Sequence, residues 1–269
     1  MTGSLHLASL VGSFLALIAL GAGCAAMAGR DAHVPTGFIF ETLEDGGRAY
    51  RYAVYVPRGY DPGQAWPLVL FLHGQGESGT DGTRMVIQGL GSAIQWDPAS
   101  WPGIVVFPQK PTENTEWEQH EPAVMAMVAR ARARYRIDPD RIYLTGLSQG
   151  GHGSWVLGAR HPELWAAVVS ICGYARGTPE YATPGHAPPF TGGPAELAGK
   201  LRGVPFWAFH GEVDDVVPPQ ETRDLVAAVR AAGGQPKMTI LPGVNHGAWD
   251  PAYRDPELPR WLFAQRKQR

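Results

Sequence analysis

Apolar positions along this chain fall into short unbroken runs separated by stretches of helical spacing, and the series begins with a hairpin pattern. Phe38–Leu43 and Tyr50–Val56 are rich in aromatic and branched residues and flank Glu44-Asp45-Gly46-Gly47, which predicts two antiparallel strands joined by a tight turn. Pro67–Leu72 and Ile104–Phe107 are uninterrupted apolar runs. A strand with one wet face would alternate, so these runs predict strands covered on both faces, as in a parallel sheet. Pro122–Tyr135 has helical spacing, with Val124, Met125 and Val128 on one face and Arg130, Arg132, Arg134 and Arg136 further on. Those arginines read as a solvated face near a helix C-terminus, where cations are favoured, rather than as an anion site. Strand Arg141–Thr145, helix Gly151–Arg160 and strand Ala166–Ile171 follow. Residues Gly173–Gly199 are dense in Gly and Pro with little periodicity. Strand Val204–Phe209, helix Gln220–Ala232, strand Lys237–Leu241 and helix Pro256–Arg266 end the series. A hairpin followed by alternating β and α units predicts an α/β fold. Its central sheet is mostly parallel, with an N-terminal antiparallel hairpin and helices on both faces, in a single domain over residues 37–266.

The N-terminus has a different character. Leu10–Leu20 is apolar and uncharged. It is shorter than the ~20 residues of a comfortable membrane span and matches the core of a signal peptide. Ala26-Met27-Ala28 supplies the small-x-small pattern of a cleavage site, so residues 1–28 are expected to be an export signal. Gly21-Ala22-Gly23-Cys24 resembles a bacterial lipobox, which makes a lipid anchor at Cys24 the alternative. Gly21 stands where a branched aliphatic is usual, and no Lys or Arg precedes the apolar run. The expected location is therefore outside the cytoplasm of a bacterium: periplasmic, secreted or lipoprotein.

Composition narrows the function. Among 269 residues, 23 Lys and Arg stand against 25 Asp and Glu, a net charge of −2. No basic excess is available for a nucleic-acid surface, so no nucleic-acid partner is expected. With 44% hydrophobic and 18% charged residues the chain is neither disordered nor a polytopic membrane protein. The 34 Gly and 24 Pro follow no period and fit a fold with many tight loops. Cys24 and Cys172 are the only cysteines, too few for a disulfide framework or a cysteine zinc site. Cys172 reads as a small buried hydrophobe, which leaves serine as the candidate nucleophile.

The chemistry concentrates in Gly146-Leu147-Ser148-Gln149-Gly150, set between a predicted strand and a predicted helix. A serine on a sharp strand-to-helix turn is held exposed, and small neighbours let strand and helix approach closely around it. The helix N-terminus adds backbone donors and positive partial charge where an oxyanion develops. Serine needs a base, and His246 lies in a loop between the last strand and the last helix. The acid belongs on a loop after an intervening strand, where Asp214 and its neighbour Asp215 both stand; Asp214, ending the turn, is preferred. The order Ser148, Asp214, His246 is that of a nucleophile-elbow hydrolase. Two backbone N–H groups are needed for the oxyanion. Gln149 follows the nucleophile, and Gln75, beside Gly74, lies in the loop after the first central strand. His73 and His210 each precede a glycine at a strand end and are expected to pack and hydrogen-bond under the site rather than to do chemistry. His152, one turn into the helix, is expected on the rim or in a structural role. His73, His210, Asp214 and His246 lack metal-site spacing, so no metal ligand is assigned. Leu72–Gly76 is too short to cradle a phosphate. Trp117, Trp155 and Trp249 are candidates for an aromatic platform, with packing as the commoner use.

These stretches together resemble the α/β-hydrolase superfamily, and within it the bacterial carboxylesterases grouped as phospholipase/carboxylesterase or prolyl-oligopeptidase-like. The likeness rests on Leu70–Gly79, Asp138–Gly151, Trp207–Pro218 and His246–Pro251 and spans about residues 37 to 265. It implies an α/β-hydrolase fold, a serine nucleophile, an acyl-enzyme and no cofactor. The implied partner is a small-molecule or polymer-borne ester. Serine peptidase, feruloyl or polyester esterase and acyltransferase are alternatives on the same triad. Gln149 stands where many such proteins carry Met. The Tyr174–Gly199 stretch is longer than the connection expected there, and is either a pocket cover or a surface loop.

Overall fold

The apolar runs become the strands of one eight-stranded sheet in the computed structural model, which describes residues 34–175 and 193–267. The expected export segment, Cys24 included, and residues 176–192 of the Pro/Gly-rich stretch lie outside the described residues. The strands are β1 (Gly37–Asp45), β2 (Arg48–Val56), β3 (Trp66–Leu72), β4 (Ile104–Pro108), β5 (Ile137–Leu147), β6 (Ala167–Ile171), β7 (Phe206–Gly211) and β8 (Lys237–Leu241). Their order is β1-β2-β4-β3-β5-β6-β7-β8. β1–β2 and β2–β4 pair antiparallel and every other pair is parallel. The hairpin turn is narrower than the four-residue segment suggested by the sequence. Asp45 pairs with Arg48, and Gly46 and Gly47 carry φ of +56° and +76°. Positive φ at both central residues marks the turn whose twist matches paired strands, and glycine adopts it without a side-chain clash.

Continuous apolar runs do mark doubly covered strands. β4, β6 and β7 are buried at every position, and β3 at every position but its first. Successive side chains alternate between faces. Val69 and Phe71 of β3 join Val105, Phe107, Tyr143 and Val169 in one apolar cluster. Helices α1 (Leu90–Trp96), α6 (Trp249–Arg254) and α7 (Glu257–Ala264) close that cluster with Ala93, Ile94, Tyr253, Leu258 and Leu262. Leu68, Leu70 and Leu72 face the opposite side, where α2 (Glu121–Arg134) and α3 (Gln149–Arg160) pack on β3–β6. Helices α4 (Gly193–Leu201) and α5 (Pro219–Ala231) complete the α-helices among the described residues.

Several boundaries differ from the sequence reading for physical reasons. The Gly173–Gly199 stretch shows little periodicity in sequence, yet α4 begins within it at Gly193 and runs on to Leu201, because Leu197, Ala198 and Leu201 recur at helical spacing and are buried. β5 begins at Ile137, since Trp66 pairs with Ile137 across a register shift despite Asp138-Pro139-Asp140. Strand β7 runs later than Val204–Phe209, ending at Gly211 opposite Leu241. The final helix is shorter than Pro256–Arg266 and is preceded by α6, which the pattern did not announce. On α2 the core face is Val124, Met127, Val128 and Ala131, and Met125 is only half-buried. Arg130 and Arg134 reach back to β1, donating to Thr42 O at 3.1 Å and pairing with Glu41.

The sheet has a functional geometry. From β3 the chain steps to β4 on one side and then crosses to β5 on the other. Ligands of such sheets collect at the carboxyl ends of the strands where the order reverses, and here those are the ends of β3 and β5. Burial on both faces makes β3 the structural axis. Leu70→Ala is expected to cost about 2–5 kcal/mol by cavity formation, whereas Phe40→Ala, on the half-exposed edge strand β1, stays within about 0.5 kcal/mol. Urea unfolding of the two variants measures the contrast, and equal midpoints would show that β3 does not carry it.

Candidate active site

Every residue assigned to the site lies beyond a strand's carboxyl end or opens the element that follows. Ser148 alone makes the turn between β5 and α3. Its φ is +52° and its ψ −118°, in the region that non-glycine residues enter at a cost of ~1–3 kcal/mol. Two backbone bonds hold it there. Ser148 N–H donates to Ile171 O at 2.8 Å, and Ser148 O accepts from His152 N–H at 3.0 Å. The glycines on either side are sterically required. A Cβ on Gly146 would lie 2.2 Å from Gly150 O, and one on Gly150 would lie 2.0 Å from Leu72 O.

The imidazole of His246 bridges serine and acid. Ser148 Oγ lies 2.9 Å from His246 Nε2. His246 Nδ1 lies 2.8 Å from Asp214 Oδ2 and 3.0 Å from Oδ1. An ionised carboxylate only accepts, so Nδ1 carries the hydrogen and Nε2 faces the hydroxyl with its lone pair. The His246 ring also stands edge-on to Trp249, with centroids 5.3 Å apart. Of the two candidate acids, Asp214 meets His246; Asp215 is exposed.

Asp214 is fully buried at its side chain yet well supplied with donors. Oδ1 accepts from Val216 N–H and Val217 N–H, each at 2.9 Å. Oδ2 lies 3.1 Å from His210 Nε2, which also lies 2.9 Å from Val217 O. Burial raises the Asp214 pKa, but hydrogen bonds from His210, His246 and Val217 N–H outweigh it and hold the carboxyl well below its ordinary range. The carboxylate is therefore fixed in its charged form. His210, expected to pack and hydrogen-bond beneath the site, bonds directly to the acid, and its Nδ1 lies 2.7 Å from Thr222 Oγ1.

The loop after β3 lies against the serine. A Cβ on Gly74 would come within 3.5 Å of Ser148 Cβ. Gln75 opens a short 3₁₀ turn, Gln75–Glu77, and Gln149 opens α3. N–H groups in a helix's first turn have no intrahelical acceptor, so both are available to a ligand. His73 fixes this loop from below. Its Nε2 accepts from Lys110 N–H at 2.9 Å, its Nδ1–H reaches Gly74 O at 2.5 Å, and its carbonyl accepts from Trp117 Nε1–H at 3.0 Å. Lys110, buried and not singled out from the sequence, donates from Nζ to Ser78 Oγ at 2.9 Å and braces the same loop. Its own pKa is pushed down to about 8, chiefly by burial. The Gln149 amide is turned sideways and donates to Thr115 O at 3.1 Å. His152 is buried and does not lie on the rim: its ring stacks on Tyr174 at 4.5 Å. Trp117 and Trp155 are buried, so neither forms an exposed platform.

The arrangement can do nucleophilic acyl chemistry: a hydroxyl facing an imidazole, an acid that orients that imidazole, and a helix N-terminus that opens just after the serine. Comparison with known proteins bears on this. The family described as "Putative esterase" matches residues 44–268. A putative esterase of Nocardia uniformis subsp. tsuyamanensis is 26% identical over 180 residues, covering 65% of this chain and 48% of its own. A solved thermostable esterase is 31% identical with a TM-score of 0.73, over 86% of this chain and 63% of that one. A ferulic acid esterase from Anaeromyces mucronatus, at 15% identity and TM-score 0.63, shares the fold over 87% of this chain and 92% of its own. The chain spans about half the length of the curated relatives it matches.

Two outcomes follow from the geometry. Asp214→Asn removes the acceptor that fixes the His246 tautomer and is expected to lower kcat by about 10⁴, while Asp215→Asn leaves it nearly unchanged; the reverse ranking in ester turnover would reassign the acid. Stability is expected to fall with acidification. Burial holds the His73 pKa down to about 3 and that of His120 to about 4. Below about 6.5 the unfolded chain binds protons at these two histidines and the folded chain does not, so stability declines as pH drops from 7 to 5. His152, whose pKa is raised, works in the opposite sense, one group against two. Melting temperatures at pH 7 and pH 5 test the sign, with His120→Gln expected to shrink the drop.

Proposed function

The chain belongs to the "Putative esterase" family, and on that premise we propose that it is a serine carboxylic-ester hydrolase that works through an acyl-enzyme. The observation that carries the reading is His246 set between Ser148 Oγ at 2.9 Å and Asp214 Oδ2 at 2.8 Å. As Ser148 Oγ attacks the ester carbonyl, its proton passes to His246 Nε2. Asp214 holds Nδ1–H and stabilises the imidazolium without taking the proton. The tetrahedral oxyanion receives the N–H groups of Gln75 and Gln149, aided by the positive end of α3. The intermediate collapses as His246 returns the proton to the leaving alkoxide, and the alcohol departs. Water then enters and attacks the acyl carbonyl as His246 takes one of its protons; the bond to Ser148 Oγ breaks as His246 returns that proton to Oγ, and the carboxylic acid departs.

Each oxyanion donor is worth about 10²–10³ in rate, and both are backbone groups that side-chain replacement leaves in place. The substrate in this reading is a small-molecule or polymer-borne ester. Export, with residues 1–28 as the signal, is part of the same reading and rests on the apolar run Leu10–Leu20. Ser148→Ala is expected to lower kcat/KM on a short p-nitrophenyl ester by at least about 10⁴ with the fold unchanged by circular dichroism. Activity retained to within tenfold would remove Ser148 from the mechanism.

A further inference from the structure

Behind the first turn of α3 lies a second group of ionisable side chains that ester hydrolysis does not use. Glu116 and Glu118 flank Trp117 at the short 3₁₀ turn Trp117–Gln119, and His152 stands on α3. One potential ligand atom from each of the three lies within 4.8 Å of the other two. Glu116 is only 4% exposed and the Glu118 side chain 11%. Glu116 Oε1 accepts from Tyr174 O–H at 2.8 Å, but its Oε2 is buried with no partner. Glu118 Oε2 is likewise buried without one. Buried carboxylate oxygens are normally satisfied, and an orphan oxygen on each of these two neighbouring glutamates calls for a partner.

The nearby cations do not fill that role. Lys110 Nζ has three donors, and they go to Ser78 Oγ at 2.9 Å, to Thr112 O, and to Glu113 O at 3.4 Å. His152 reaches Glu118 Oε1 at 3.3 Å, and it has one nitrogen for two carboxylates. Its other nitrogen is already committed: Nδ1 lies 2.7 Å from Tyr174 O. A carbonyl can only accept, so Nδ1 carries the hydrogen, and the proton-free state of Nε2 turns its lone pair toward the glutamates. An imidazole tied through one N–H to a backbone carbonyl, with its other nitrogen directed at carboxylates, has the orientation typical of a metal ligand.

We propose that Glu116, Glu118 and His152 form a binding site for one divalent transition cation of the Zn²⁺ class. One imidazole with two carboxylates suits zinc better than the all-oxygen shells preferred by Ca²⁺ and Mg²⁺. The ion takes the place of the proton on Nε2, which leaves to solvent, and neutralises both glutamates. The remaining exposure of Glu118 provides a way in. Bound there, the cation joins the 3₁₀ turn to α3, whose N-terminus holds Ser148. It is a clamp on the scaffold and takes no part in acyl transfer, so its test is independent of the esterase reading.

Chelator-treated full chain titrated with ZnCl₂ in a calorimeter, with Ca²⁺ and Mg²⁺ run alongside, tests the site. Since His246, Asp214 and Cys172 are a competing trio, the titration is repeated on His246→Ala. The expected result is one Zn²⁺ per chain in both proteins, at least tenfold tighter than either alkaline-earth ion. Melting temperature is expected to rise by about 5 °C at 100-fold excess over Kd. Glu116→Gln and the partly exposed Glu118→Gln are each expected to weaken binding at least tenfold. No stoichiometric Zn²⁺ binding to the wild-type chain overturns the proposal. So does binding unaltered in Glu118→Gln, binding lost in His246→Ala, or a preference for Ca²⁺.

Discussion

The close approach of β5 and α3 around Ser148 is the constraint on which the rest of the site depends. Gly146, Gly150 and the Leu72 carbonyl meet at distances that leave no room for a Cβ. Nothing in the isolated pentapeptide favours a serine at φ +52°. The turn persists because β5 is hydrogen-bonded on both sides, to β3 and to β6, and because α3 is packed on the same strands. The strain at one residue, ~1–3 kcal/mol, is small beside the burial of β3 and β5 that over-determines it. It has two consequences at once. The hydroxyl projects from the end of the sheet, and the N–H groups of α3's first turn are left without acceptors beside it.

Charge is handled by the same logic of over-determination. Asp214 is buried, which disfavours ionisation, yet four donors converge on its two oxygens. Two of these come from its own turn, which makes the carboxylate part of the loop's backbone structure. His210 Nε2 is shared between Asp214 and Val217 O, so one buried ring ties the acid to the segment leading into α5. His73 plays the matching role under the loop after β3. It is held neutral, and each nitrogen is engaged with backbone of a different strand end. Neither ring reaches the reacting atoms in this arrangement. Both fix the parts that do.

What the sequence made legible follows from the range of each interaction. Runs such as Ile104–Phe107 announce burial on both faces locally, and the order Ser148, Asp214, His246 follows from strand ends alone. Short helices were not legible. In α1 (Leu90–Trp96) Leu90, Gly91, Ala93 and Ile94 are buried, over too few turns to show a period, and α6 contains Pro251. The choice between Asp214 and Asp215 also exceeds local information, since the two are adjacent and only the loop's course decides which is buried. A signal was present nonetheless. An Asp whose side chain caps N–H groups two and three residues ahead, just before Pro218, is a common turn chemistry. The group of Glu116, Glu118 and His152 had no such signal, because its spacing spans two elements that only the packing of α3 brings together.

Gln149 shows how the two levels meet. As a source of a backbone N–H it tolerates almost any side chain, which is why its departure from the Met expected by resemblance leaves the proposed oxyanion site intact. The side chain is nevertheless buried and directed away from the serine, with Nε2 donating to Thr115 O. Thr115 also bonds His120 through its hydroxyl, at 2.8 Å, and immediately precedes Glu116. Gln149 therefore anchors the loop that carries the acidic pair, and Lys110 anchors that loop's other end to Ser78, beside the Gln75–Glu77 turn. Chemistry assigned to the backbone frees the side chains around it to serve as braces. The site's rigidity is accordingly written in residues, such as Lys110 and Gln149, that touch no substrate.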